Sequence, residues 1–294
     1  MESNEDFFNM LTASLSESGK SENTVTMYIN DLRRFDEWLQ KRDSNIRIVN
    51  RKQVQQYILY LESLDHAATT IERIYYEIKT LAKYMKDDLS IVNNIRYPKK
   101  QESATSPRCL SNDEVKKLFS RIEHEMSCKS TAQIKKDEDL RKLALLAIMF
   151  GAGLRVAEVA ALNIKDVDLR YHGDGGIVIV HKGKGNKARE VPIAKKFTQY
   201  IEQYLKSRDD ENEALFITRL NRRISTRYIQ YTLKEYGIHP TMARRTYLTA
   251  LVTDQGIDLV TAAHLAGHSS VNTTQKYVKP KLNSIYTTLD KLYE

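Results

Sequence analysis

Apolar residues recur at intervals of three and four through most of this 294-residue chain. One stretch departs from that habit. In "GGIVIVHKGKGNKAREVPI", residues 175–193, β-branched residues bracket a glycine- and lysine-rich turn, which predicts a β-hairpin. Helical periodicity resumes near residue 195. The combination restricts the chain to a mainly α fold with a small antiparallel β-sheet.

The helical stripes fall into two groups. Over 21–40, Val25, Tyr28, Ile29, Leu32, Phe35, Trp38 and Leu39 share one face, with Ser21 and Asn23 placed as caps. Val54, Ile58 and Leu61 repeat the pattern over 51–63. Ile71, Ile74, Tyr75, Ile78, Leu81, Ala82 and Met85 repeat it over 69–86. These stripes predict a helical bundle spanning 1–98. The segment 99–109, with proline, serines, threonine and charges, interrupts the period and reads as a linker. A second domain, 110–294, opens on "LSNDEVKKLFSRI", where Ser111 and Glu114 have capping-box spacing. The run 139–163, "DLRKLALLAIMFGAGLRVAEVAALN", reads as one strongly apolar helix.

Composition narrows the function classes. No apolar run reaches the length of a membrane span, and the polar start "MESNEDFFNM" does not read as a secretory signal. Cys109 and Cys128 form neither a metal spacing nor a disulfide framework, which fits a reducing, cytoplasmic setting. Lys and Arg outnumber Asp and Glu by 46 to 38, for a net charge of +8. Such an excess favours an anionic partner, nucleic acid above all.

Several polar residues stand out against this background. Arg155 follows two glycines within an apolar stretch, where a guanidinium needs a partner: either an anion or the nearby Glu158. Lys184 lies between glycines in a turn that also carries Lys182, Lys187 and Arg189. That turn reads either as a solvated basic loop or as a finger for phosphates or a DNA groove. In "HPTMARRTYLTAL", Arg244 and Arg245 fall near a helix start, and the apolar phase of Ala243, Tyr247 and Leu251 brings Arg244 beside the core edge. His268 follows a glycine placed to end a helix. Ser269, Ser270 and Asn272 then offer caps for the segment leading to Tyr277. A tyrosine hydroxyl is a weak nucleophile, with a pKa of about 10. It can attack a phosphodiester if permanently charged arginines hold the phosphate and a lysine or histidine protonates the leaving oxygen.

The segments "GLRVAEVAALNIKDVDL", "HKGKGNKAREVPI", "RRTYLT" and "LAGHSSVNTTQKYV" closely resemble, in order and spacing, the catalytic boxes of the tyrosine recombinases, or phage integrase family, and in particular its small Xer-like and transposon-resolvase types. The resemblance covers about residues 108–280, and the N-terminal helices are similar to that family's core-binding domain. It implies a helical core DNA-binding domain followed by an α+β catalytic domain. Arg155 and Arg244 would clamp the scissile phosphate, Lys184 would protonate the leaving 5′ oxygen, and His268 would hydrogen-bond the phosphoryl group. Tyr277 would form a 3′-phosphotyrosyl link, with Glu158 in a supporting position. No cofactor or metal is implied.

The resemblance is incomplete at one box position. Thr241 stands three residues before the second arginine, where the family usually has histidine, so Thr241, the nearby His239 or a water would serve there. Arg245 competes with Arg244 on spacing, whereas the apolar phase favours Arg244. Arg245, Arg222, Arg223 and Arg227, with Lys182, Lys187 and Arg189, are expected DNA contacts, and the helix over 69–86 is a further candidate for groove reading. After Tyr277, the stripe Leu282, Ile285, Leu289 and Leu292 predicts a terminal helix over about 281–294 that the family would exchange between protomers. The expected partners are double-stranded DNA with specific core sites, three further copies of the chain in a tetramer, and accessory proteins. The expected reaction is site-specific recombination through a Holliday junction, with resolution of dimers or cointegrates favoured over integration. The alternatives are type IB topoisomerase-like strand passage and a catalytically silent DNA-binding regulator.

Overall fold

The computed structural model describes residues 4–85, 90–99, 108–128, 133–170, 175–181, 188–254, 256–268 and 270–275. The chain divides into two compact units, Met1–Thr105 and Ser106–Glu294. Among the described residues no helix is long and apolar enough to cross a membrane.

The first unit consists of α1 (Asn4–Glu17), α2 (Glu22–Gln40), α3 (Arg51–Ser63), α4 (Ala68–Tyr84) and a 3-10 turn at Ser90–Val92. Helix α2 starts where the Ser21 side chain accepts from the Thr24 N–H. Helix α3 starts at an Asn50–Gln53 capping box, with bonds of 3.1 and 3.0 Å. The stripes seen in the sequence form the core: Leu32, Phe35, Leu39, Val54, Ile58, Ile71, Ile78 and Leu81 are all buried. Tyr28, Tyr75 and Met85 pack at its rim. Helix α1, which the sequence reading left unassigned, contributes Phe7, Phe8, Leu11 and Leu15 to the same core.

In the second unit α5 (Asn112–Cys128) opens on the expected capping box. The Ser111 N–H donates to Glu114 at 2.7 Å, and the Glu114 N–H donates back to Ser111 Oγ at 3.2 Å. The expectation of one helix over 139–163 is corrected. The run forms α6 (Gln133–Gly151) and the short α7 (Val156–Ala161), separated by a turn. Gly153 breaks the helix by adopting φ +59°, a left-handed conformation that favours glycine. A Cβ there would also lie 2.3 Å from the Tyr247 ring. Every residue from Leu143 to Phe150 is buried, so α6 runs through the core with apolar groups on all sides and packs against α8 and α10.

The sheet comprises β1 (Val167–Asp168), β2 (Gly175–Val180) and β3 (Arg189–Ala194), antiparallel in the order β1-β2-β3 among the described residues. Val180 pairs with Arg189 and Gly175 with Ala194. The hairpin is therefore present, and its tip, residues 182–187, lies outside the described residues. Along β3 burial alternates strictly, with Arg189, Val191 and Ile193 inward. The chain continues through α8 (Lys195–Lys206), α9 (Thr226–Glu235), α10 (Pro240–Thr249), a π turn at Ala250–Asp254, α11 (Leu259–Ala266) and α12 (Asn272–Gln275). The terminal helix expected over 281–294 lies outside the described residues, as does most of the 99–109 linker.

Candidate active site

The site is organised around the C-terminus of α11. Gly267 takes φ +62° and ends the helix. The Gly267 N–H donates to His264 O at 2.8 Å and the His268 N–H to Ala263 O at 2.9 Å, the paired bonds of a Schellman motif. The next three carbonyls, with no helical N–H to accept from, each receive a guanidinium from a different element. Arg189 Nε of β3 donates to Leu265 O at 2.9 Å. Arg244 Nη2 of α10 donates to Ala266 O. Arg155 Nη2, at the start of α7, donates to Gly267 O at 2.9 Å. Cations suit this end of a helix, where unsatisfied carbonyls concentrate negative potential.

Two further groups fix the arginines. Arg244 Nη1 donates to Gly153 O at 2.7 Å, so the turn that breaks α6 from α7 holds this side chain. Glu158 on α7 accepts from the Arg155 backbone N–H at 2.7 Å and from Arg155 Nη1 at 3.0 Å. It also takes both Nη1 and Nη2 of Arg189, at 3.0 and 2.9 Å. Burial raises the Glu158 pKa, but the Arg189 fork and the Arg155 N–H outweigh it and hold the carboxyl below its ordinary value. Arg155 and Arg189 thus share the Glu158 carboxylate while Arg244 bonds backbone carbonyls. These bonds set three guanidinium groups around one carboxylate, an excess of positive charge that an anion would offset.

His268 follows directly. One ring nitrogen, Nδ1, lies 2.8 Å from Oγ1 of Thr274, which is fully buried on α12. Burial pushes the imidazole pKa down to about 4, and the charges of Arg244, Arg155 and Arg189 push it the same way. At neutral pH the ring is uncharged, so one nitrogen donates and the other accepts. Tyr247, beneath Gly153, is buried and pushed up to about 12, which keeps its hydroxyl protonated.

Arg155, Arg244 and His268 therefore converge. Arg244 is 7% exposed, whereas Arg245, one position on, is half-buried and outside the cluster. Thr241 is exposed in the first turn of α10, and its Oγ1 lies 2.6 Å from Nδ1 of His239, the residue that caps the helix. Lys182, Lys184, Lys187 and Tyr277 lie outside the described residues. One expectation for a DNA contact is corrected. Arg189 is 6% exposed, and its guanidinium is taken by Glu158 and Leu265 O. Arg223 is exposed, and its guanidinium also donates to Leu162 O at 2.7 Å and Ala160 O at 3.3 Å across the end of α7. Arg222 and Arg227 remain exposed, the latter 3.2 Å from the Tyr231 hydroxyl. The sequence reading missed Thr274 and the Gly153 carbonyl. Nothing in the local pattern marks Thr274, whereas the alternation of Arg189, Val191 and Ile193 does signal an inward arginine.

Comparison with known proteins places this geometry. The model of the phage integrase family matches residues 108–283, and that of the phage integrase N-terminal SAM-like domain matches residues 5–88. The tyrosine recombinase XerA of Thermococcus kodakarensis is 31% identical over 270 residues, covering 89% of this chain and 86% of the relative. The tyrosine recombinase XerC of Pediococcus pentosaceus is 30% identical over 289 residues, covering 90% and 91%. The solved structure of the XerH site-specific recombinase bound to difH substrate, a pre-cleavage complex, shares the fold. Its TM-score is 0.67 at 19% identity, over 90% of this chain and 78% of that one. With a family model spanning more than half of its length and relatives matching about nine-tenths of it, the chain belongs to the phage integrase family of tyrosine recombinases.

Proposed function

We propose that the protein is a site-specific DNA recombinase that breaks and rejoins strands through a 3′-phosphotyrosyl intermediate. The observation that carries this reading is the convergence of Arg155, Arg244 and neutral His268 on the C-terminal turn of α11. A scissile phosphodiester is the anion that such a pocket fits: planar guanidinium forks match its non-bridging oxygens, and the imidazole supplies one further hydrogen bond. The side chain of Arg155 is 34% exposed and that of Arg189 only 4%, so of the two arginines on Glu158 it is Arg155 that a bound phosphate can reach.

In this reading the Tyr277 hydroxyl oxygen forms a bond to phosphorus as the phosphorus–O5′ bond breaks. The tyrosine's proton passes to the surrounding water, and Lys184 protonates the departing 5′ oxygen. Thr241, at the start of the helix that carries Arg244 and 2.6 Å from Nδ1 of His239, supplies a further hydrogen bond to the phosphate. The phosphotyrosyl ester conserves the energy of the phosphodiester, so attack by the 5′ hydroxyl of a second duplex completes strand exchange. Two successive exchanges pass through a Holliday junction. Four protomers hold two core sites, assisted by accessory proteins, and the outcome is resolution of DNA dimers or cointegrates. The exposed Arg222, Arg223 and Arg227, with Arg245 and the tip residues Lys182 and Lys187, are the proposed DNA contacts of the catalytic unit. The division of labour is a core-binding domain over 1–98 and a catalytic domain over 110–294.

The test is incubation of the purified protein with DNA flanking its own gene and with nicked suicide substrates of the bound sequence, analysed on a denaturing gel. The native protein is expected to form a covalent band that Tyr277→Phe abolishes while still binding the DNA. A band that persists in that variant contradicts the reading.

A further inference from the structure

The Arg189 guanidinium is buried far more completely than that of Arg155, and burying such a group is costly unless it is fully paired. It enters from the inward series of β3, beside Val191 and Ile193, so the sheet delivers it from the core side. Its bonds to Leu265 and Glu158 use the whole breadth of its fork. A Cβ on Gly267 would lie 2.8 Å from Arg189 Nη1, so the glycine that ends α11 is also what lets this guanidinium pack under the His268 turn.

Glu158 is correspondingly saturated. An ionised carboxylate has roughly four acceptor positions. The two bonds from Arg155 and the two from Arg189 fill them. The two arginines stand differently toward this carboxylate. Arg155 gives Glu158 one side-chain nitrogen and turns the other to Gly267 O, whereas Arg189 gives it both. Arg189 and Glu158 therefore form a closed neutral pair, and Arg155 is oriented by a carboxylate whose charge is already balanced. Without Arg189, Glu158 would balance Arg155 itself, and its vacated lone pairs would draw Arg155 Nη2 away from the Gly267 carbonyl.

We propose that Arg189 is a positioning residue that neutralises Glu158, so that Glu158 orients Arg155 without cancelling the charge Arg155 presents to the scissile phosphate. This rests on the recombinase reading above and assigns Arg189 a part in the chemistry although it touches no DNA. A structural strut at this place would need only to be filled. A charge balancer makes a different demand: its loss is harmful because of the carboxylate left behind, so removing that carboxylate's charge as well restores function.

The experiment measures single-turnover formation of the covalent adduct on nicked suicide DNA at saturating protein, for the native chain, Glu158→Gln, Arg189→Met and the double variant, with DNA affinity measured in parallel. Arg189→Met is expected to slow cleavage by on the order of 100-fold, with affinity changed only a few-fold. The double variant is expected to cleave about 10-fold or more faster than Arg189→Met and within about 10-fold of Glu158→Gln alone. If Arg189→Met does not fold, the comparison of the double variant with Glu158→Gln decides, because neither leaves a buried uncompensated carboxylate. Cleavage at the native rate by Arg189→Met overturns the proposal. So does a double variant that is no faster than Arg189→Met or, by more than that margin, slower than Glu158→Gln. A native protein that forms no Tyr277-dependent adduct would instead remove the recombinase reading itself, which separates the two failures.

Discussion

His268 sits among three guanidinium groups, and its protonation state follows from that placement. Burial and the charges of Arg244, Arg155 and Arg189 bring its pKa down to about 4, so it acts as a neutral hydrogen-bonding group at physiological pH. Titration of its ring resonances in the DNA-free protein should give a midpoint near pH 4; a midpoint near the ordinary histidine value of about 6.5 would contradict this environment. The folded pKa lies below the unfolded one, so between those values the unfolded chain binds the extra proton. Stability is therefore full above about pH 6.5 and declines as pH falls toward 4, and His268→Gln should remove that part of the slope from thermal melts. Individual residues were unevenly legible in the sequence. Arg155, Arg244 and His268 stand in motifs that reveal them, and the structure brings them together. Arg189 was hidden by its neighbours: the lysines of the hairpin turn make it look like one more surface cation, although the strand's alternation faces it inward. Thr274 could not be found this way, because its role depends on a contact with His268 that only the turn between α11 and α12 creates.

Among the elements, helices with one apolar face were readable and breaks within wholly apolar runs were not. The stripes of α2, α3 and α4 predicted their buried faces because one side of each helix is polar. The run that becomes α6 and α7 offers no such contrast, since residues 143–150 of α6 are all buried and apolar character continues past its end. Only Gly153, with its left-handed φ, separates the two helices. That turn matters to the site because the Gly153 carbonyl holds Arg244 and the following residues set Arg155 at the start of α7. Gly153→Ala should therefore cost about 2 kcal/mol or more in denaturant unfolding, from left-handed strain and contact with the Tyr247 ring. It should also slow adduct formation more than it weakens DNA binding. An alanine variant with native stability and cleavage rate would show that the turn does not position the arginines. Helix α1 was missed for a different reason: its acidic, polar opening masks a stripe of Phe7, Phe8, Leu11 and Leu15 that only the rest of the bundle completes.

At the scale of the whole molecule, a basic chain of net charge +8 that neutralises DNA phosphates should bind with a steep salt dependence. The logarithm of the binding constant is expected to fall linearly with the logarithm of salt concentration, with a slope of about −0.9 for each phosphate contacted. Arg222→Ala and Arg227→Ala, at exposed positions, should each flatten that slope, and Arg223→Ala, also at an exposed position, should in addition lower stability because its fork caps α7. A salt-independent affinity would contradict a backbone-gripping mode of binding. These tests depend on where the charges lie; the identity of the nucleophile is more central, and Tyr277 competes with 16 other tyrosines in the chain. The decisive measurement is peptide mapping by mass spectrometry of the covalent adduct trapped on a nicked suicide substrate, with the polarity of the attached strand determined in the same experiment. A 3′-phosphoryl nucleotide on the Tyr277 peptide is the expected result. Attachment to any other residue, or through a 5′ phosphate, would contradict the assignment of Tyr277 as the group that the arginine cluster serves.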